Sequence, residues 1–91
     1  MTHHWTGEDD LVVLYLYRFG TEDLPYTIGS IARERGMSSA SLRMRIGNMK
    51  AVAEGGGLGH YGKITEAVHS KWKSASKARL RAIAFPELVG R

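Results

Sequence analysis

Thr27-Ile-Gly-Ser-Ile-Ala-Arg-Glu-Arg-Gly-Met-Ser-Ser-Ala-Ser-Leu-Arg-Met-Arg-Ile-Gly-Asn-Met-Lys-Ala-Val-Ala53 reads as two helices around a tight corner. Ala32 is small where the first helix must approach its neighbour. Gly36 follows four residues later, where the chain must turn, and Leu42 returns to the core six residues beyond. Glycine adopts positive φ without a Cβ clash, which suits the position just past a helix C-terminus, and Ser38 or Ser39 can cap the next helix by accepting a backbone N–H bond. Thr27 caps the first of the pair, with Ile28, Ile31 and Ala32 turned inward.

The helix from about Ser39 to Val52 or Ala53 places Leu42, Ile46, Met49 and Ala53 on one stripe, which is expected to be core. Arg43 and Lys50 flank that wheel on one side, and Ser41, Arg45 and Asn48 on the other. Ala40, Met44, Gly47 and Ala51 point directly away from the core. This narrow, small-residue face has two readings. It can sink into a major groove while its flanks reach bases and phosphates, or it can pack under the C-terminal segment.

Upstream, Thr6 is a plausible N-cap for a helix running to about Phe19 and ended by Gly20. Glu8, Asp9 and Asp10 place negative charge in its first turn, where the helix dipole favours it. The run Leu11-Val-Val-Leu-Tyr-Leu-Tyr17 is apolar nearly all round and predicts a central helix with Trp5 folded back on it; a buried strand is the alternative. Thr21 to Tyr26 is a loop, with Pro25 biasing Leu24 away from helical angles.

Downstream, Glu54-Gly-Gly-Gly-Leu-Gly-His-Tyr-Gly62 is a glycine-rich loop anchored by Leu58 and Tyr61. A helix then begins near Lys63 to Thr65, with Ile64, Val68 and Trp72 one turn apart. It either continues or restarts at Ser74 or Ser76, and passes Leu80 and Ile83 to reach Phe85 before Pro86. The expected architecture is all-α: a tri-helical helix-turn-helix core, a Gly-rich loop and an additional C-terminal helix. It forms a single domain over residues 1–91, with its core in 5–73 and a basic helix or tail in 74–91.

The chain of 91 residues has a net charge of +4 at pH 7 and no Cys. In residues 1–27, Arg18 alone opposes Glu8, Asp9, Asp10, Glu22 and Asp23, whereas residues 28–91 are strongly basic. Such polarity favours one face meeting a polyanion, although an acidic protein or an anionic membrane feels the same field. The absence of Cys removes disulfides and thiolate metal sites and suits a reducing compartment. No apolar run approaches the roughly 20 residues that cross a bilayer, so neither export nor anchoring is expected.

Several chemistries fail on spacing. Gly57 to Lys63 nearly matches a phosphate-binding loop, but Ile64 stands where a magnesium-holding hydroxyl belongs, and no buried strand precedes it. His3, His4, His60 and His69 lack the spacing of a zinc site. All three Asp lie by residue 23 and no nucleophile has a recognisable base, so neither enzymatic activity nor a cofactor is expected. Trp72, between Lys71 and Lys73, is the one aromatic left open as a stacking platform.

Trp5-Thr6-x-Glu8-Asp9 with its apolar helix, Ile31-Ala32, the corner, and Arg45-Ile46-Gly47-Asn48 resemble the Myb/SANT-type arrangement of three helices. More closely, Ser39-x-Ser41-Leu42-x-Met44 through Met49, then Gly56-Gly57-Leu58 and Lys63-x-Thr65, resemble the N-terminal module ahead of HNH nuclease domains in bacterial restriction-type proteins. The likeness covers residues 5–73. It implies a compact helical module that recognises DNA; the 91 residues hold no HNH half, so any cutting is done elsewhere.

The resulting expectation is a small double-stranded-DNA reader, a repressor or accessory regulator of bacterial or mobile-element origin, cytoplasmic and nucleoid-associated. Ser39, Ser41, Arg43, Met44 and Asn48 are the candidates for base edges. Arg33, Arg45, Lys50, His60, Lys63, Lys71 and Lys73 are the candidates for phosphates. Arg45 has a second reading, pairing with an acidic residue at the core rim. The rival function is a protein-interaction module, such as a phage inhibitor of a host enzyme. A homodimer through the apolar segment Leu80 to Val89 is also left open.

Overall fold

The computed structural model describes residues 3–55 and 62–89, which form five α-helices and, among the described residues, no strand. The elements are α1 (Gly7–Phe19), α2 (Ile28–Glu34), α3 (Ser39–Ala53), α4 (Lys63–Trp72) and α5 (Lys77–Ala84), followed by a single 3₁₀ turn, Pro86–Leu88.

Each start has a local cause. The Thr6 hydroxyl accepts from the Asp9 N–H while the Asp9 carboxylate accepts from the Thr6 N–H, a reciprocal capping box that satisfies two otherwise unpaired donors. Thr27 and Ser30 repeat it at α2. Ser38 caps α3, and Ser76 caps α5 by accepting from Arg79 N–H. Loss of one such cap costs about 0.5–2 kcal/mol.

The corner between α2 and α3 closes as its sequence predicts. Gly36 sits at φ 76°, its N–H donating to the Arg33 carbonyl, and Met37 N–H reaches back to the Ala32 carbonyl at 2.9 Å. A left-handed residue there lets the chain reverse at once, while buried Met37 fastens the corner to the core.

The centre is α1, packed against α3, α4 and α5, with α2 and α4 also touching α3. Val12, Val13, Leu14, Tyr15 and Leu16 are consecutive and all buried, so helix, not the alternative strand, is the state of this run. Such burial on every side requires neighbours all round, which α3, α4 and α5 supply. Ile31 and Ala32 of α2, Met37 of the corner, Leu42 and Met49 of α3, Val68 of α4, and Leu80, Ala84, Phe85 and Leu88 complete the core. Fully burying one such side chain stabilises the fold by about 1.5–3 kcal/mol. Tyr15 meets Phe85 edge to face at 5.5 Å, tying the centre of α1 to the C-terminal segment.

Of the two readings left open after α4, the restart holds: the helix breaks after Trp72 and the next is capped by Ser76, where the Arg18 guanidinium donates to the Ala75 carbonyl at 2.6 Å. The inward face of α4 is Thr65 and Val68 with half-buried Trp72, while Ile64 is exposed. Thr65 displaces Ile64 because a buried carboxylate beneath it requires a donor.

Candidate nucleic-acid interface

That carboxylate is Asp10, which is 0% exposed. Helical periodicity sets it on the same face as buried Val13 and Leu14, so its charge cannot reach water. Arg45 answers it from α3, Nε donating to Oδ1 at 2.9 Å and Nη2 to Oδ2 at 2.8 Å, and the Thr65 hydroxyl donates to Oδ2 at 3.1 Å. The Trp5 ring covers the guanidinium at 4.7 Å. A two-pronged, hydrogen-bonded pair of this kind is what a buried charge needs to be tolerated. Close by, a Cβ on Gly62 would lie 3.8 Å from Arg45 Nη1, so the start of α4 rests against the same guanidinium.

Arg45 is therefore corrected as a phosphate candidate. Its guanidinium is committed to Asp10 within the fold, the reading held open from the sequence. Glu8, Asp9 and Asp10 do occupy the first turn of α1, and two of them carry a further role: Glu8 is exposed, Asp9 closes the capping box, and Asp10 faces inward.

The remaining aspartates are also engaged. Asp9 accepts from Arg35 Nε at 2.7 Å and His3 Nε2 at 2.8 Å. Burial pushes its carboxyl up, but the bonds from His3, Arg35 and the Thr6 N–H, with the Arg35 charge, outweigh that and hold its pKa below the ordinary 3.8. Lys77 pairs with Asp23. Much of the acidic charge of the N-terminal quarter is thus neutralised by the chain's own cations.

The other face of α3 lies open except at Ala51, expected to point outward but half-buried. Ala40, Arg43, Gly47 and Lys50 are exposed, and Met44 is 70% exposed, a large apolar side chain in water. The alternative in which this strip packs beneath the C-terminal segment does not hold, because α5 packs on α1 instead. Arg43 and Lys50 form no ion pair with another described residue.

The structure divides the candidate base contacts. Ser39 is exposed at the first turn, and a Cβ on Gly29 would meet its hydroxyl at 3.6 Å, so α2 lies alongside. Ser41 is half-buried, its N–H and Oγ both engaged with Ser38 Oγ at 3.0 Å. Asn48 is half-buried on the Arg45 flank, while Arg43 and Met44 lie open. Of the phosphate candidates, Arg33, Lys50, Lys63, Lys71 and Lys73 are exposed, on α2, α3, α4 and just beyond α4. His60 lies outside the described residues, as does most of the glycine-rich loop.

Trp72 is half-buried, with the Lys71 ammonium 5.4 Å and the Arg79 guanidinium 5.6 Å from its ring centre, so these cations compete with any stacked base. Lys73 borders a cleft with Arg18 and His69. Burial first, then the charges of Lys73 and Arg18, hold His69 below its ordinary 6.5. Among the described residues no three His, Asp or Glu side chains gather as a metal site, and no helix is long and apolar enough to cross a membrane.

The Asp10, Arg45 and Thr65 cluster had one signal in the sequence: a carboxylate on the apolar stripe of α1 needs a cation, but spacing alone does not name a partner 35 positions away. No protein family model, curated protein or solved structure matches this chain.

Proposed function

We propose that the protein is a small double-stranded-DNA-binding module, a repressor or accessory regulator, in which α1, α2 and α3 act as a tri-helical helix-turn-helix core. The observation that carries this reading is the outer strip of α3. Ala40 and Gly47 leave the helix slim where it faces solvent, Met44 projects between them, and Arg43 and Lys50 stand beside them exposed. A helix so shaped fits a major groove about 12 Å wide; Arg43 then reaches guanine edges and Met44 a thymine methyl. The position of Ser39 in the first turn of α3 supports a base contact there, since the N-terminal turn is the usual reading end of a recognition helix.

The cations on the surrounding elements serve the backbone. Arg33 from α2, Lys50 from α3, Lys63 and Lys71 from α4, and Lys73 beyond it bind phosphates without reading sequence. The internal neutralisation of Asp9, Asp10 and Asp23 supports this assignment, because it leaves these cations less opposed.

Fluorescence anisotropy with a labelled duplex across a salt series tests the proposal. Five phosphate contacts make log affinity fall with log salt at a slope of about −4 to −5. A flat response, or no binding at low salt, rejects it. Selection from a random duplex library then gives the target, and a palindromic site reports a dimer.

A further inference from the structure

A groove of about 800 Å³ opens between α1, α2, α5 and the 3₁₀ turn, and no residue of α3 or α4 lines it. Its floor is apolar: Leu11, Ile31, Ile83 and Phe85 come from three helices and the end of the last. Its rim is acidic, with exposed Glu8 on α1, Glu34 on α2 and Glu87 on the 3₁₀ turn. The one basic side chain among the described residues of the wall, Arg35, is occupied by Asp9 at 2.7 Å and offers little counter-charge. Glu87 is held in place by the Tyr26 hydroxyl, which donates to it at 2.6 Å.

We infer that this groove is a docking site for a basic, apolar peptide segment of a partner protein, one that alternates Lys or Arg with large aliphatic or aromatic side chains. Charge complementarity selects the occupant. On a molecule of net charge +4, three carboxylates around an apolar floor make a local field opposite to the whole. A second copy meeting through the same groove would bring Glu8, Glu34 and Glu87 against their own counterparts, which disfavours the two-fold dimer. A lone small cation satisfies one carboxylate, whereas these stand on three separate elements; a peptide spaces its cations along the rim and fills the floor between them. The site is independent of α3, so the DNA reading can fail without it, and it can fail without the DNA reading.

The test is titration of the full ¹⁵N-labelled chain with a short capped peptide of alternating Lys and Leu, and separately with its Glu and Leu counterpart. The overall positive charge opposes the Lys peptide, so its binding requires a local site. The expected result is amide shifts concentrated at Leu11, Ile31, Ile83 and Phe85 with the Lys peptide alone. Glu8→Gln with Glu34→Gln, both surface changes that keep the side-chain volume, should weaken it about five- to tenfold, since each exposed pair contributes little singly. Equal binding of the Glu peptide overturns the inference. So do shifts centred on α3 or α4, or affinity unchanged in the double variant. Groove amides that move when the protein alone is concentrated also overturn it, because a second copy is then the occupant.

Discussion

Asp10 and Arg45 clasp each other across 35 positions of sequence, carboxylate to guanidinium, at 2.8 and 2.9 Å, with the carboxylate wholly removed from water. The pair fixes α3 to the first turn of α1. Together with buried Leu42 and Met49 it sets the rotation of α3 about its own axis: with these three held inward, Arg43, Met44 and Gly47 are left facing out.

Removing one partner should be far worse than removing both. Arg45→Met leaves Asp10 buried without its cation and should cost about 3–5 kcal/mol, and Asp10→Leu should be comparably damaging. The double variant replaces the pair with apolar volume and should recover most of the loss. Urea denaturation followed by circular dichroism measures all three. Additive losses in the double variant would show that the two residues act independently.

Asp9 gives the fold a defined weakness to acid. Its carboxyl is held below the ordinary 3.8 in the folded state, so the folded protein binds its proton less readily than the unfolded chain does. The stabilisation is complete above the unfolded value and is lost as pH falls from about 3.8 through the depressed folded value. Asp9→Asn should lower stability at neutral pH and flatten this part of the curve. Thermal melts at stepped pH check it; a variant curve parallel to the wild type between neutrality and acid would reject the assignment.

Local chemistry was the legible layer of this sequence. Thr6, Thr27 and Ser38 act within three residues of themselves, Gly36 within its own φ angle, and Leu42 and Met49 share one helical stripe. What the sequence did not show depends on partners distant along the chain. Asp10 resembles any first-turn acid until α3 is folded beside it. For Arg45 the sequence offered both a phosphate contact and a pairing at the core rim without naming the acid, and the preference for Thr65 over Ile64 on the inner side of α4 exists only because Asp10 lies beneath. The outer strip of α3 was legible because small residues, like caps, are recognised by local spacing. The acid-rimmed groove was not, since its three glutamates come from three elements.

Base reading and phosphate holding should separate under mutation. Arg43→Ala on a preferred duplex should cost about 1–3 kcal/mol and relax the sequence preference, whereas Lys73→Ala should weaken all sequences alike and reduce the salt slope by about 1. Lys73→Ala has a second readout that needs no DNA. Its charge helps to hold His69 below the ordinary 6.5, so its removal should raise the His69 titration midpoint in an NMR pH series. Equal effects of both variants on every sequence would remove α3 from base reading, and an unmoved His69 would remove Lys73 from the cleft it borders.

On the proposed function, Gly47 should set stability against binding. It lies inside α3 on the exposed strip, and a Cβ added there meets nothing within 4 Å. Folding alone therefore disfavours glycine: Gly47→Ala should stabilise the protein by about 0.5–1 kcal/mol through helix propensity, raising Tm by a few degrees. Gly47→Gln keeps most of that gain and adds an uncharged side chain where the proposed contact requires the helix to lie close to the groove floor. Its affinity for a selected duplex should fall by at least about tenfold while its melting temperature stays above wild type, a combination that no general destabilisation produces. If the variant binds DNA as well as the wild type, the duplex does not approach this side of α3. The outward strip would then have to serve a different partner.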